Sequence, residues 1–175
     1  FAGQQETFLN VRGETDLLDS VRRCWASLWS ERAVAYRRER AVCPSEAAMA
    51  VVVQAMIPCD VAGVSFSRDP LSGADTVVIE SAPGLGLGVV SGSAEVERYT
   101  FHRSSRKMTV PPGGLLRIDQ IQAIAETLIA LEQLFGQPQD VEWGLWQDNL
   151  YLFQCRPITV RPGSFFTEVI TDDEY

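Results

Sequence analysis

The sequence predicts an α+β fold built as an antiparallel sheet with two main amphipathic helices. Three observations carry that expectation. Apolar runs of strand length follow one another with hairpin-type turns between them, and two longer stretches repeat apolar residues at spacings of three and four. The glycine cluster PGLGLGVVSG is not a G-x-G-x-x-G run opening a helix, which disfavours a dinucleotide-binding parallel sheet. With 175 residues, 46% of them hydrophobic, the chain can bury one sizeable core. No apolar run approaches the roughly 20 residues of a membrane span, and no charged-then-apolar leader is present, so a soluble, cytoplasmic protein with no membrane partner is expected. A net charge of −8 argues against a nucleic-acid partner, because such binding rests on Lys and Arg neutralising phosphates. Cys24, Cys43, Cys59 and Cys155 lack paired spacing and read as reduced thiols. The chain opens at Phe1 without an initiator Met and closes on acidic TDDEY, which reads as a piece of something longer.

Taken in order, a small-residue turn around Gly3 leads into a strand-like TFLN. Leu17, Leu18, Val21, Cys24, Trp25, Leu28 and Trp29 then mark a helix whose apolar stripe reads as core, with Thr15 or Asp16 as N-cap and the cationic YRRER at its far end. Past Pro44, AVVVQAMI does not alternate and reads as a strand buried on both faces. AGVSFS and TVVIES form a hairpin across RDPLSG, where Asp69, Pro70 and Gly73 supply the turn. VERYTFHR is one more strand, SSRKMTVPPGG a loop, and Asp119 caps a second helix through Ile121, Ile124, Leu128, Leu131 and Leu134 that Gly136 and Pro138 stop.

The next stretch, DVEWGLWQDNLYLFQCRPIT, is a β-hairpin. With Gln147-Asp148-Asn149 as its loop, Trp146 pairs with Leu150, Gly144 with Leu152, and Glu142 with Gln154. Alternation then gives Val141, Trp143, Leu145, Tyr151, Phe153 and Cys155 one apolar face, and Glu142, Gln154 and Arg156 the other. Two oxygen donors suit a hard cation such as Mg²⁺, and a guanidinium suits a phosphate; a merely solvated polar face is the competing reading.

Other stretches are ambiguous taken singly. In AGQQET, Gly3 lets backbone amides approach an anion and Thr7 adds a hydroxyl, or the segment is an ordinary turn. Near Gln54, Met56 and Ile57 the strand meets Pro58, which leaves backbone groups for an adenine edge, or the strand simply ends. His102 is the sole histidine and reads as structural, and Glu97 reads as a surface acid.

Together, FAGQQETFLNVRG, CWASLWSERAVAYR, VVVQAMIP, GVSFSRDPLSG, GLG with VVSG, and FGQPQDVEWGLWQDNLYLFQCRPIT resemble, in order and style, the ATP-binding domain shared by phosphoenolpyruvate synthase, pyruvate phosphate dikinase and rifampin phosphotransferase. The resemblance implies an ATP-grasp-like fold with ATP and Mg²⁺ as cofactors. The β-phosphoryl group would pass to a histidine on a separate domain and on to pyruvate or, in the antibiotic kinases, to an antibiotic hydroxyl. It implies that residues 1–159 are the later part of a partial domain lacking its N-terminal lobe, and that 160–175 lead toward a missing domain. It assigns Gly3 and Thr7 to the loop over the phosphates, Gln54, Met56 and Ile57 to the adenine strand, Glu142 and Gln154 to the metal, and Arg156 to a phosphate. Three departures stand beside it. The lysine and arginine of the family's clamp fall upstream of FAGQQ, Leu87 replaces an expected acid, and Val96-Glu97 replaces a Pro-Asp pair. FHRSS does not resemble the phosphohistidine motif. A non-catalytic nucleotide-binding or interaction module is therefore the remaining alternative.

Overall fold

A computed structural model describes residues 5–39, 41, 43, 47–85 and 96–158. Gly3, Leu87 and the tail 160–175 lie outside them. The chain divides into two compact units, Phe1–Met56 and Ile57–Tyr175.

The first unit holds helices α1 (Gly13–Ser27) and α2 (Glu31–Glu39). One helix running to YRRER was expected; two form, because the Ser30 hydroxyl accepts the Ala33 N–H at 3.3 Å and starts a new helix. Neither Thr15 nor Asp16 is the N-cap of α1, a position that falls at Arg12. The apolar stripe is not core within these residues: Trp25 is 51% and Trp29 58% exposed, and the buried helical positions are Ser27, Ala33 and Arg37. The expected strands at TFLN and AVVVQAMI are also absent, with Val52 and Val53 exposed. A β-branched run becomes a strand only by pairing, and no described strand pairs with it.

The second unit matches the predicted class. Strands β1 (Val61–Phe66), β2 (Thr76–Pro83), β3 (Glu97–His102) and β4 (Met108–Thr109) precede helix α3 (Ile118–Phe135), which β5 (Gln139–Trp146) and β6 (Asn149–Pro157) follow. They form one six-stranded sheet in the order β4-β3-β2-β1-β5-β6, every neighbour antiparallel. The β1–β2 turn is closed as its residues dictate, with the Asp69 carboxylate accepting the N–H groups of Leu71 (2.9 Å) and Ser72 (3.2 Å). Helix α3 begins one residue before the expected cap: the Gln120 side chain accepts the Arg117 N–H at 3.0 Å, and Asp119 is ion-paired with Arg117 in the first turn. It ends at Gly136, whose φ of 70° is the left-handed conformation that suits glycine.

Period-two alternation gives the sheet two faces. Ile79, Tyr99, Phe101, Val141 and Trp143 pack against Ile121, Ile124, Ala125 and Leu128 of α3 to make the core. The Trp143 indole donates to the buried Ser65 hydroxyl at 2.7 Å and lies over Gly63, where a Cβ would come within 2.9 Å of the ring. The opposite face carries Val64, Glu80, Arg98, Asp140, Glu142 and Gln154.

Candidate functional site

The last hairpin positions the site, and its turn differs from the expected one. Gln147 and Asp148 have φ of 49° and 62°, and Trp146 pairs with Asn149, so the loop has two residues in the left-handed conformation of a type I′ turn. From there Leu145 pairs with Leu150, Gly144 with Tyr151, and Trp143 with Leu152. The register then shifts between Glu142 and Trp143, and Glu142 pairs with Gln154 as the sequence led us to expect. The extra residue is Phe153, a β-bulge. Two face assignments therefore change. Tyr151 and Phe153 lie on the polar face rather than the core face, Tyr151 opposite Gly144 and the Phe153 ring over it. Leu150 turns to the core in their place.

Across the face opposite α3 the strand pairings set Gln154, Glu142, Val64, Glu80 and Arg98 in one transverse row. Beside it, Arg156 pairs with Asp140, its Nε 2.8 Å from the carboxylate. Glu80 and Arg98 are likewise ion-paired at 3.3 Å. Burial pushes the half-buried Glu142 carboxyl above its ordinary range; Arg156 opposes that shift and Asp140 adds to it. A carboxylate in that state gains from a cation placed beside it. Asp140, Glu80 and Arg98 were missed at the sequence level, although Asp140 stands two positions before Glu142 and alternation alone puts it on the same face.

The structure thus brings Glu142, Gln154 and Arg156 together with Asp140. Thr7, Gln54 and Met56 belong to the first unit, all three exposed and none in a helix or strand. Ile57 opens the second unit, where its carbonyl accepts the Cys59 N–H at 2.9 Å. Among the described residues no three His, Cys, Asp or Glu side chains converge as a complete metal cage. One carboxylate and one amide oxygen instead match how Mg²⁺ is held when phosphate oxygens and water supply the other ligands.

Two further expectations change or gain detail. Glu97 is not a free surface acid: it accepts the Tyr99 hydroxyl and, at 2.8 Å, the Leu115 N–H, while the Tyr99 oxygen accepts the Leu116 N–H at 3.1 Å. His102 is exposed and its Nδ1 lies 3.2 Å from the Ser104 hydroxyl, within the turn that follows β3.

An acid, an amide and a guanidinium thus share one face of an antiparallel α+β unit. The chain belongs to the pyruvate phosphate dikinase AMP/ATP-binding domain family, which it matches over residues 1–117 and 113–174. It is 40% identical over 91% of its length to a probable phosphoenolpyruvate synthase of Methanothermobacter thermautotrophicus, of which it spans 27%. It is 38% identical over 91% of its length to a rifampicin phosphotransferase of Streptomyces sviceus, spanning 21% of that protein. To a prodigiosin synthesizing transferase of Serratia marcescens it is 35% identical over 92% of its length, spanning 21%. No described helix is long and apolar enough to cross a membrane.

Proposed function

We propose that the chain is the ATP- and Mg²⁺-binding part of a longer cytoplasmic phosphotransferase resembling phosphoenolpyruvate synthase. Residues 1–159 would be the later part of its nucleotide domain and 160–175 the link onward. The cross-strand pairing of Glu142 with Gln154 carries the reading. Those two side chains would hold Mg²⁺, which when bound supplies charge neutralisation at the phosphate oxygens. Asp140 holds the Arg156 guanidinium on the same face, from which it can take a phosphate. Gly3 and Thr7 would cover the phosphates, and the adenine would lie along Gln54, Met56 and Ile57. Since the Ile57 carbonyl is already engaged, its N–H is the group that would meet the base edge. The phosphoryl group would leave for a histidine on another domain, since phosphoryl transfer rests on positioning and charge rather than on covalent chemistry supplied by this face.

The test uses the longer protein that carries this chain, supplied with ATP, Mg²⁺ and pyruvate. Phosphoenolpyruvate should form with release of AMP and phosphate, and Glu142→Gln should slow it by at least about ten-fold. The 175-residue chain alone should form none. An undiminished rate in Glu142→Gln, or turnover by the isolated chain, overturns the reading. The rifampicin phosphotransferase relative motivates a parallel assay with an antibiotic hydroxyl as acceptor.

A further inference from the structure

The two-residue turn fixes a register that by itself misplaces the site. Continued from Trp143 opposite Leu152, the ladder would set Phe153 opposite Glu142 and Gln154 opposite Val141, on the face covered by α3. Arg156 would likewise leave the face of Asp140. The added residue in β6 reverses this slip: Gln154 and Arg156 return to the polar face, opposite Glu142 and Asp140, and Cys155 to the core face opposite Val141.

The slip cannot be absorbed at the turn, because the turn is pinned from two sides. The Asp60 carboxylate accepts the Gln147 N–H at 3.2 Å, and the Asp148 carboxylate accepts from Arg117 at 2.8 Å and Gln120 at 3.3 Å. The displaced ring must also go somewhere. A Cβ on Gly144 would come within 2.9 Å of two Phe153 ring atoms and would collide with the Cys59 sulfur. Only a bare Cα leaves room there for both groups.

We infer that Phe153 and Gly144 form a positioning device, a bulge and its receptacle, that places Gln154 beside Glu142 and Arg156 beside Asp140. Neither residue need touch the ligand. The functional weight of this rests on the reading of Glu142 and Gln154 as the metal pair, whereas the register claim stands on the hairpin alone. The device makes a specific demand on variants. Deleting Phe153 removes the extra residue, so Leu152 stays opposite Trp143 and Gln154 stays opposite Glu142. Gly144→Val keeps the chain length but leaves the ring no place, which drives the hairpin to the unbulged register.

The experiment is NMR on this chain, with cross-strand nuclear Overhauser contacts reporting register and Mn²⁺-ATP as a paramagnetic probe of the site. The natural sequence should show Glu142–Gln154 contacts and broadening at both side chains. The Phe153 deletion should keep both. Gly144→Val should replace them by Gln154–Val141 contacts and weaken the probe by about ten-fold or more. Loss of the Glu142–Gln154 contacts in the deletion variant overturns the inference, as does their persistence in a folded Gly144→Val chain. Should Gly144→Val fail to fold, the deletion variant decides alone. Intact Glu142–Gln154 contacts with no broadening by Mn²⁺-ATP would leave the register device standing and remove the metal assignment instead.

Discussion

Single residues here answer to their hydrogen bonds more than to their place in the sequence. Glu97 read as a surface acid although Tyr99, two positions on in β3, shares its face by alternation; its other partner, Leu115, meets it only when the loop after β4 folds back. Glu97→Ala leaves the Leu115 N–H without its acceptor and the Tyr99 hydroxyl without its own, so it should cost about 1–3 kcal/mol of stability. Urea unfolding should read that loss, with Mn²⁺-ATP broadening at Glu142 and Gln154 unchanged. Glu132 is a second case. Burial works to raise its carboxyl pKa, yet hydrogen bonds from Ser67, Arg103 and Arg68 hold it below the ordinary range. Its side chain is 12% exposed and its ion pairs with Arg68 and Arg103 measure 3.0 and 2.9 Å. A depressed carboxyl stabilises the fold above the unfolded-state pKa, and that stability is lost as the pH falls through the folded value. Glu132→Gln should therefore lower stability by about 1–3 kcal/mol at neutral pH, and the difference should close on acidification below the ordinary glutamate range. Unfolding curves of both chains across that range check the sign.

At the scale of elements, the long strands flanking a recognisable turn were legible, whereas the two-residue β4 lies within SSRKMTVPPGG, which read as loop. β1 and β2 lie around an Asp-Pro-Gly turn, and β5 and β6 around Gln147-Asp148, so local turn chemistry announced both hairpins. AVVVQAMI carries an equally strong apolar signal, but the signal says only that the segment can be a strand, and pairing decides whether it is. The stripe of α1 failed for a similar reason, since periodicity identifies an apolar face without supplying what covers it. The Glu142–Gln154 pairing was expected on a wrong loop length and holds because two errors of one residue cancel: the shorter turn and the bulge. Gln147 bears the cost of that shorter turn, with a φ of 49° in a residue that has no special tolerance for it. Gln147→Asn should relieve the strain and stabilise the chain by about 0.5–1 kcal/mol. A higher urea midpoint with the Glu142–Gln154 contacts retained is the expected result; a lower midpoint would show that the Gln147 side chain contributes something the backbone does not reveal.

For the molecule as a whole, the two units differ in how much they bury. The core cluster lies wholly in the second, whereas the first buries Ser27, Ala33 and Arg37 in its helices. Residues 57–158 should therefore fold by themselves, with the central strands β1, β2 and β5 retaining slow amide exchange; fast exchange throughout would mean that the first unit is needed to form the sheet. Among the described residues β6 is last in the sheet, with β5 its one neighbour. A terminal strand is a template on which another molecule's strand can add, and a break in its regularity is one defence against that. Phe153 interrupts the ladder near the middle of β6, and Pro157, which has no N–H to offer, closes its end. The same kink that sets Gln154 in place thus also interrupts the edge to which a strand of another copy could add. A chain without Phe153 should keep its register but associate at lower concentration than the natural sequence, which light scattering across a dilution series reads.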